Sequence, residues 1–97
     1  MNLVWQSHAK AEFRGAAQFY RDNAGHNIAG DFSNAVISAA ERLREFPDMG
    51  ARIVGDVHRI LLRDYPYSLI YRKSPSEIIV IALAHQRQRP GYWRGRR

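Results

Sequence analysis

Apolar residues in the first half of the chain recur at three- and four-residue spacing, which is the period of an amphipathic helix. The run Leu3-Val4-Trp5 precedes this pattern and predicts a short strand. A first helix is predicted from Ser7, as its N-cap, to about Asn23, where Asn23-Ala24-Gly25 breaks the pattern. The apolar face of this helix is formed by Phe13, Ala16, Ala17 and Tyr20.

A second helix is predicted from about residue 26 to Phe46. Its apolar stripe advances by three or four positions at each step and consists of Ile28, Phe32, Ala35, Ala39, Leu43 and Phe46. Pro47 ends the helix, because proline lacks the amide hydrogen that a helix interior needs. The break between the two helices is so short that they should form an antiparallel hairpin.

The second half of the chain changes period and predicts a sheet. Segments 57–63, 67–73 and 78–84 are rich in Ile, Leu, Val and Tyr, and short links separate them, which favours an antiparallel meander. Segment 78–84 is apolar throughout, so it should be a central strand covered on both faces. The helix hairpin can cover one face, and Tyr92 and Trp93 are the best candidates to cover the other. A chain of 97 residues has the size of one domain, so residues 1–97 are expected to form a single α+β domain.

Basic residues are concentrated in the second half of the chain. Residues 1–50 hold five basic and six acidic residues, a net charge of −1, whereas residues 51–97 hold ten and three, a net charge of +7. Only Lys10 and Lys73 are lysines, and the planar arginine fork suits pairing with carboxylate or phosphate. This segregation favours an anionic partner, either a nucleic acid or an acidic protein segment, over a generic basic surface.

The sequence lacks the motifs that are typical of several classes of function. The chain has no cysteine, and its four histidines lack paired ligand spacing, so no metal or other cofactor is predicted. The hydrolase motifs G-x-S-x-G and S-x-x-K, the P-loop and G-x-G-x-x-G are also absent. The start MNLVWQSHAK does not resemble a signal peptide, and no window approaches the roughly 18 apolar residues of a membrane span. We therefore expect a cytoplasmic protein without membrane contact.

The remaining candidates for functional side chains lie on the predicted strands and in the segment after the last strand. In segment 57–63, side chains alternate between faces, so Arg59, Leu61 and Arg63 share the face opposite to His58, Ile60 and Leu62. Arg59 either contacts a partner or lies along the sheet with its head in solvent. His85 ends the central strand, where it either transfers protons near neutral pH or locks the strand end through a hydrogen bond.

The C-terminal segment allows two interpretations as well. Tyr92 and Trp93 either stack on bases beside Arg87 and Arg89 or anchor the segment on the core. We favour anchoring, followed by a short arginine tail whose removal spares folding and weakens partner binding. That tail consists of Arg94, Arg96 and Arg97.

Four stretches, taken together, resemble the RelE/ParE superfamily of type II toxins, and its ParE-like branch most closely. They are 9-AKAEF-13, 43-LREFPDMGARI-53, 59-RILLRDYPYSLIYR-72 and 78-IIVIALAHQRQRPGYW-93. The resemblance spans nearly the whole chain, and the order and spacing of the stretches carry it. It implies a helix hairpin packed on a twisted antiparallel sheet. It further implies a toxin that stops growth until a small cognate antitoxin, often with an acidic segment, wraps around it.

The superfamily divides by target, since RelE-like members cut mRNA on the ribosome and ParE-like members act on DNA gyrase. In several RelE-type nucleases an arginine occupies the position of Ser68, and a tyrosine is typical near the end of the last strand, where Gln86 follows His85 here. These differences favour a gyrase-binding toxin that is not an enzyme. The alternatives are an mRNA endonuclease that uses His85, Arg59 and Arg87, and a non-toxic relic that only binds its antitoxin.

The predicted surface for contact with the target or the antitoxin is drawn from the basic half of the chain, and contact with nucleic acid is compatible with it. The residues of this surface are Arg59, Arg63, Arg87, Arg89, Tyr92, Trp93, Arg94 and Arg96.

Overall fold

The computed structural model of the chain describes residues 1–96, which form two helices and one five-stranded sheet. The elements in chain order are β1 (Asn2–Trp5), α1 (Ser7–Ala24), α2 (His26–Glu45), β2 (Ala51–Val54), β3 (Val57–Leu61), β4 (Tyr67–Lys73) and β5 (Glu77–His85). The predicted α+β architecture and helix hairpin are confirmed.

The sheet has the strand order β1-β5-β4-β3-β2. Strands β3 to β5 form the predicted antiparallel meander, and β2 extends it beyond β3. Strand β1 adds in parallel to the other edge of β5. The parallel pairing makes the sheet mixed, a feature that the sequence did not predict. It also places β5 between two neighbours, which agrees with its apolar sequence.

Both faces of β5 are covered by side chains. On one face Val80 and Leu83 pack against the helices, and on the other Ile81 and Ala82 pack against Trp93. A β-bulge at Ile81 of β5, which has no partner on β4, shifts the register between Ile70 and Tyr71 of β4. Because a bulge adds one residue to a strand, positions three apart on β5 face the same side here.

The start of α1 differs from the prediction. Gln6, rather than Ser7, occupies the N-cap, and its side chain forms no capping hydrogen bond. The amide of Gln6 still donates to the carbonyl of Val80 at 3.0 Å. Pairing of β1 with β5 thus continues through Gln6, so the chain leaves the sheet there and Ser7 becomes the first residue of the helix.

The buried face of α2 is rotated from the predicted stripe. Phe32, Ala39 and Leu43 are buried as expected, but Ile28 and Phe46 are 43% and 58% exposed. At 3.6 residues per turn these two side chains lie about 40° round the helix from Phe32. That displacement takes them away from the side where the remaining buried residues lie, which are Ala29, Val36 and Ala40.

Strand β2 was not predicted, and β3 ends at Leu61 rather than at residue 63. All four residues of β2 are exposed, so no alternation between apolar and polar positions reveals it. Gly55 lies in the turn between β2 and β3 with a φ of 55°, a backbone conformation that glycine adopts without steric cost. No helix within residues 1–96 is long and apolar enough to cross a membrane.

Candidate functional site

The sheet face opposite the helices contains a cleft of about 370 Å³. It lies between strands β2 and β3 on one side and the segment after β5 on the other. Its polar lining consists of Arg59, Ser68, His85, Gln86, Gln88, Arg89, Tyr92 and Arg94, and its apolar lining includes Ile53, Leu61, Ile70, Ala84 and Trp93. None of the acidic residues within positions 1–96 lines it.

Residues 86–96, which we call the C-terminal strap, form one wall of the cleft. Successive backbone turns shape the strap, with amides donating to carbonyls three residues earlier, as from Arg94 to Gly91 at 2.9 Å. Trp93 is 6% exposed and packs on the core formed with Val57, Ile70 and Ala82. Anchoring of the strap by Trp93 is therefore confirmed. The same burial leaves Trp93 little exposed area for a partner, although part of its ring lines the cleft.

Glu12 of α1 fastens the strap to the rest of the molecule. Its two carboxylate oxygens accept from the Arg96 guanidinium at 2.9 and 3.1 Å and from the Tyr92 hydroxyl at 2.7 Å. A further bond comes from the amide of Leu83 in β5 at 3.1 Å. Arg96 also donates to the carbonyl of Ile81 at 3.0 Å. We call this group of contacts the Glu12 latch.

The latch corrects the prediction of a short arginine tail, because Arg96 is bound to the fold. The side chains of Arg96 and Glu12 are only 16% and 20% exposed, so Arg96 is not available to a partner. Arg94 is exposed, as expected, whereas Arg97 lies outside the described residues. Sequence reasoning missed Glu12, although a signal was present. The carboxylate lies at helical spacing from Ala9 and Ala16, on the stripe that is otherwise apolar.

The contacts of the latch also shift the pKa values of Tyr92 and Arg96. Burial, followed by the hydrogen bond to Glu12, raises the pKa of the Tyr92 phenol above its usual range. The hydrogen bond to Glu12 raises the pKa of Arg96, an effect that burial partly opposes. Tyr92 thus stays a neutral donor, and Arg96 stays charged, at neutral pH.

His85 is held at the end of β5 by two hydrogen bonds. Its amide donates to the Gln88 side-chain oxygen at 2.8 Å, and its ring Nδ1 accepts from the amide of Arg87 at 3.0 Å. The ring thus locks the strand end through a hydrogen bond, in which Nδ1 is the acceptor. Because Nδ1 is engaged, the neutral ring carries its hydrogen on Nε2. In that state it can donate a hydrogen bond but has no free basic nitrogen.

A family model described as "ParE toxin of type II toxin-antitoxin system, parDE" matches residues 3–90 of the chain. The chain belongs to the ParE toxin family. No curated protein sequence matches it significantly. Among solved structures, the chain is similar to one described as "Chromosomal ParDE TA system from P. aeruginosa". The two share 22% identity at a TM-score of 0.78, over 88% of this chain and 95% of that one.

The ParE fold brings some of the predicted site residues together and separates others. Arg59, His85, Arg89 and Arg94 line the cleft. Arg63 follows the end of β3 and lines separate hollows beside Asp64. Arg87 is exposed and does not line the cleft, so the predicted nuclease set of His85, Arg59 and Arg87 is not assembled around it. Within residues 1–96, no group of three or more side chains is suited to hold a metal.

Proposed function

We propose that this ParE-family toxin inhibits DNA gyrase in the cytoplasm by binding to it, and that it does so without catalysis. The observation that carries the proposal is the ParE family match over residues 3–90. The resemblance of the chain to ParE-like toxins, as distinct from RelE-like nucleases, implies gyrase as the target. The C-terminal strap and the cleft beside it supply the contact surface, because they present exposed arginines on a folded support.

The composition of the cleft supports binding over catalysis. Cleavage of RNA through its 2′-hydroxyl needs a base, an acid and cations that stabilise the developing charge. Ser68 occupies the strand position where RelE-type nucleases carry an arginine, and the basic nitrogen of His85 is engaged by the backbone. The cations are present, but a general base is not among the groups that line the cleft.

We further propose that the cognate antitoxin of this type II system covers both the helices and the basic half of the chain. An apolar groove of about 280 Å³ runs between β1 and the helices. Its lining includes Leu3, Trp5, Phe13, Ile37 and Ala40. Apolar side chains of an antitoxin would fill this groove, while its acidic segment would pair with exposed arginines outside the cleft, such as Arg63 and Arg87.

A supercoiling assay with purified gyrase tests the proposed target. We expect toxin at micromolar concentration to inhibit supercoiling or to stabilise the cleaved DNA complex. An equimolar antitoxin should reverse the effect. Full gyrase activity, with no stabilised complex, would contradict the proposal.

A ribosome-dependent mRNA endonuclease is the second candidate, and the cationic lining of the cleft is the observation in its favour. Mapping of mRNA 5′ ends after induction of the toxin distinguishes the two functions. Codon-linked cuts that disappear in His85→Ala would establish the nuclease. Normal growth after induction of folded protein would instead indicate the non-toxic relic.

A further inference from the structure

The positively charged lining of the cleft is suited to bind an anion. Arg59, Arg89 and Arg94 line it, and none of the three forms an ion pair with any residue that the structure describes. The carboxylate of Glu12, which contacts Tyr92 of the cleft lining, is already occupied because it pairs with Arg96. The three guanidinium groups thus create a positive field that is not neutralised within the cleft.

The hydrogen-bonding groups of the cleft are mostly donors. The guanidinium groups only donate, and the neutral His85 ring offers Nε2–H. Two acceptors near the cleft are already used, because Gln88 Oε1 accepts from the His85 amide and His85 Nδ1 accepts from the Arg87 amide. Ser68, Gln86 and the Tyr92 hydroxyl are the side-chain groups left to accept. A phosphodiester backbone brings acceptors alone, whereas a polypeptide also brings amide donors that this cleft would leave unpaired. The donor excess therefore favours nucleic acid over an acidic peptide.

The apolar part of the lining indicates which form of nucleic acid fits. Leu61 is 68% exposed and Ile53 is 38% exposed, and both lie at the cleft. The faces of paired bases are stacked inside a duplex, so only unpaired bases can rest on such apolar side chains. Proteins that bind single strands without sequence preference combine a positively charged groove with side chains on which bases stack, usually aromatic ones. Here the exposed aliphatic side chains of Leu61 and Ile53 take that place.

We propose that the cleft binds a single nucleic-acid strand, with Arg59, Arg89 and Arg94 on the phosphates and unpaired bases against Leu61 and Ile53. No bond is broken, because the cleft lacks a free base. This inference goes beyond the proposed function, since it does not depend on gyrase being the target. Combined with that function, it gives the toxin a contact with the DNA on which gyrase acts.

Fluorescence anisotropy with a labelled strand of about twelve deoxythymidines tests the proposal. The cleft variant carries R59Q, R89Q and R94Q. The matched control carries R14Q, R21Q and R42Q, which replace exposed arginines of the helices. Both variants lose three positive charges, so any nonspecific attraction falls equally in both. We expect the cleft variant to bind about tenfold more weakly or worse at low salt, and the control to change by less than about threefold.

The salt dependence provides a second readout of the same contacts. For single strands, each phosphate contact contributes about −0.7 to the slope of log K against log salt. Loss of three contacts should reduce the slope by about 2 in the cleft variant, with little change in the control. If Arg59→Gln, Arg89→Gln and Arg94→Gln, tested as single variants, each leave the affinity unchanged, the assignment of these arginines is wrong. These single variants also cover the case in which the triple variant does not fold.

Other outcomes would overturn the proposal. Equal losses in the two triple variants would show nonspecific attraction, and unlabelled duplex that competes as well as single strands would show the wrong form of DNA. Cleavage of an RNA strand of matching length would contradict binding without catalysis. Failure of this inference is distinguishable from failure of the proposed function. Gyrase inhibition without binding to the strand would refute only the inference, and binding without inhibition would refute only the gyrase target.

Discussion

At the scale of single residues, Glu12 joins parts of the chain that are far apart in sequence. Its carboxylate accepts four hydrogen bonds, one from β5 and three from the C-terminal strap. Hydrogen bonds to a charged group in a part-buried site are stronger than neutral ones. One side chain of α1 thereby sets the position of the wall of the cleft.

We expect Glu12→Gln to lower the free energy of unfolding by about 1–3 kcal/mol, because Arg96 loses its counter-charge in a part-buried site. The pKa of Tyr92 should fall in the same variant, since the bond to Glu12 is one cause of its elevation. Urea unfolding and a tyrosinate titration measure the two effects. Glu41→Gln is the control, because its ion pair with Arg44 is exposed and should contribute under about 1 kcal/mol. Equal losses in both variants would contradict the latch.

Tyr65 provides a test of pH dependence. Its hydroxyl donates to Asp31, and this bond, followed by burial, raises the pKa of Tyr65 to about 12. A tyrosine in the unfolded chain ionises near pH 10. The folded state therefore holds more protons between these values, and stability falls as pH rises from about 10 to about 12. We expect Tyr65→Phe to reduce this loss in urea unfolding at alkaline pH. An unchanged pH profile would show that Tyr65 does not contribute to it.

At the scale of elements, the strap behaves as part of the fold and not as a tail. Trp93 fills the core on one sheet face, and the latch holds the last residues that the structure describes. The cleft exists only while the strap is in place, because Arg89 and Arg94 belong to it. Stability of the strap and occupancy of the cleft are therefore linked.

We expect Trp93→Ala to destabilise the fold by about 3–5 kcal/mol, because it removes a buried aromatic side chain and leaves a cavity. The matched control is Leu61→Ala, since Leu61 is 68% exposed and its loss should cost within about 0.5 kcal/mol. Chemical denaturation measures both. A loss below about 1 kcal/mol for Trp93→Ala would show that the ring does not anchor the strap.

Deletion of residues 94–97, which the sequence predicted to be harmless to folding, should lower stability by about as much as Glu12→Gln. Both changes break the ion pair between Glu12 and Arg96, so their effects should not add in the double variant. Arg94→Gln is the control, because Arg94 forms no ion pair with the described residues. Thermal unfolding of the unaltered protein, the two single changes, the double variant and the control tests this. Full additivity would mean that the two changes act at separate sites.

At the scale of the whole molecule, the two halves of the chain depend on each other for their cores. The apolar faces of α1 and α2 pack on β4 and β5, with Phe32 and Val36 in one cluster with Leu69 and Val80. The helices therefore have no core of their own. The charge is also divided by halves, since the near-neutral helices support a basic sheet and strap.

We expect a fragment of residues 1–50 to be largely unfolded, because isolated helices of this length are marginal in water without tertiary packing. Circular dichroism should show weak helicity and no cooperative thermal transition. The full chain should unfold cooperatively under the same conditions. A cooperative transition in the fragment would contradict this dependence.

Sequence patterns predicted the elements that have one buried and one exposed face, or two buried faces. The helices and strands β3 to β5 belong to this class, and so does β1. Strand β2 was not predicted because all its residues are exposed. The parallel pairing of β1 was not predicted because a strand's sequence does not specify which strand it pairs with. Of the site, periodicity placed Arg59 correctly on the outer face of β3. The bond between Glu12 and Arg96 joins residues 84 positions apart in sequence. Local sequence patterns cannot predict a contact over such a separation.

The place of β5 in the middle of the sheet has a consequence for synthesis on the ribosome. β5 is the last strand to be made, yet β1, α1 and the strap all pair with it or rest on it. A nascent chain that has not yet exposed β5 holds neither a finished core nor a finished cleft. The cleft therefore forms only after both β5 and the strap have been made, so a shorter nascent chain cannot yet bind a partner there.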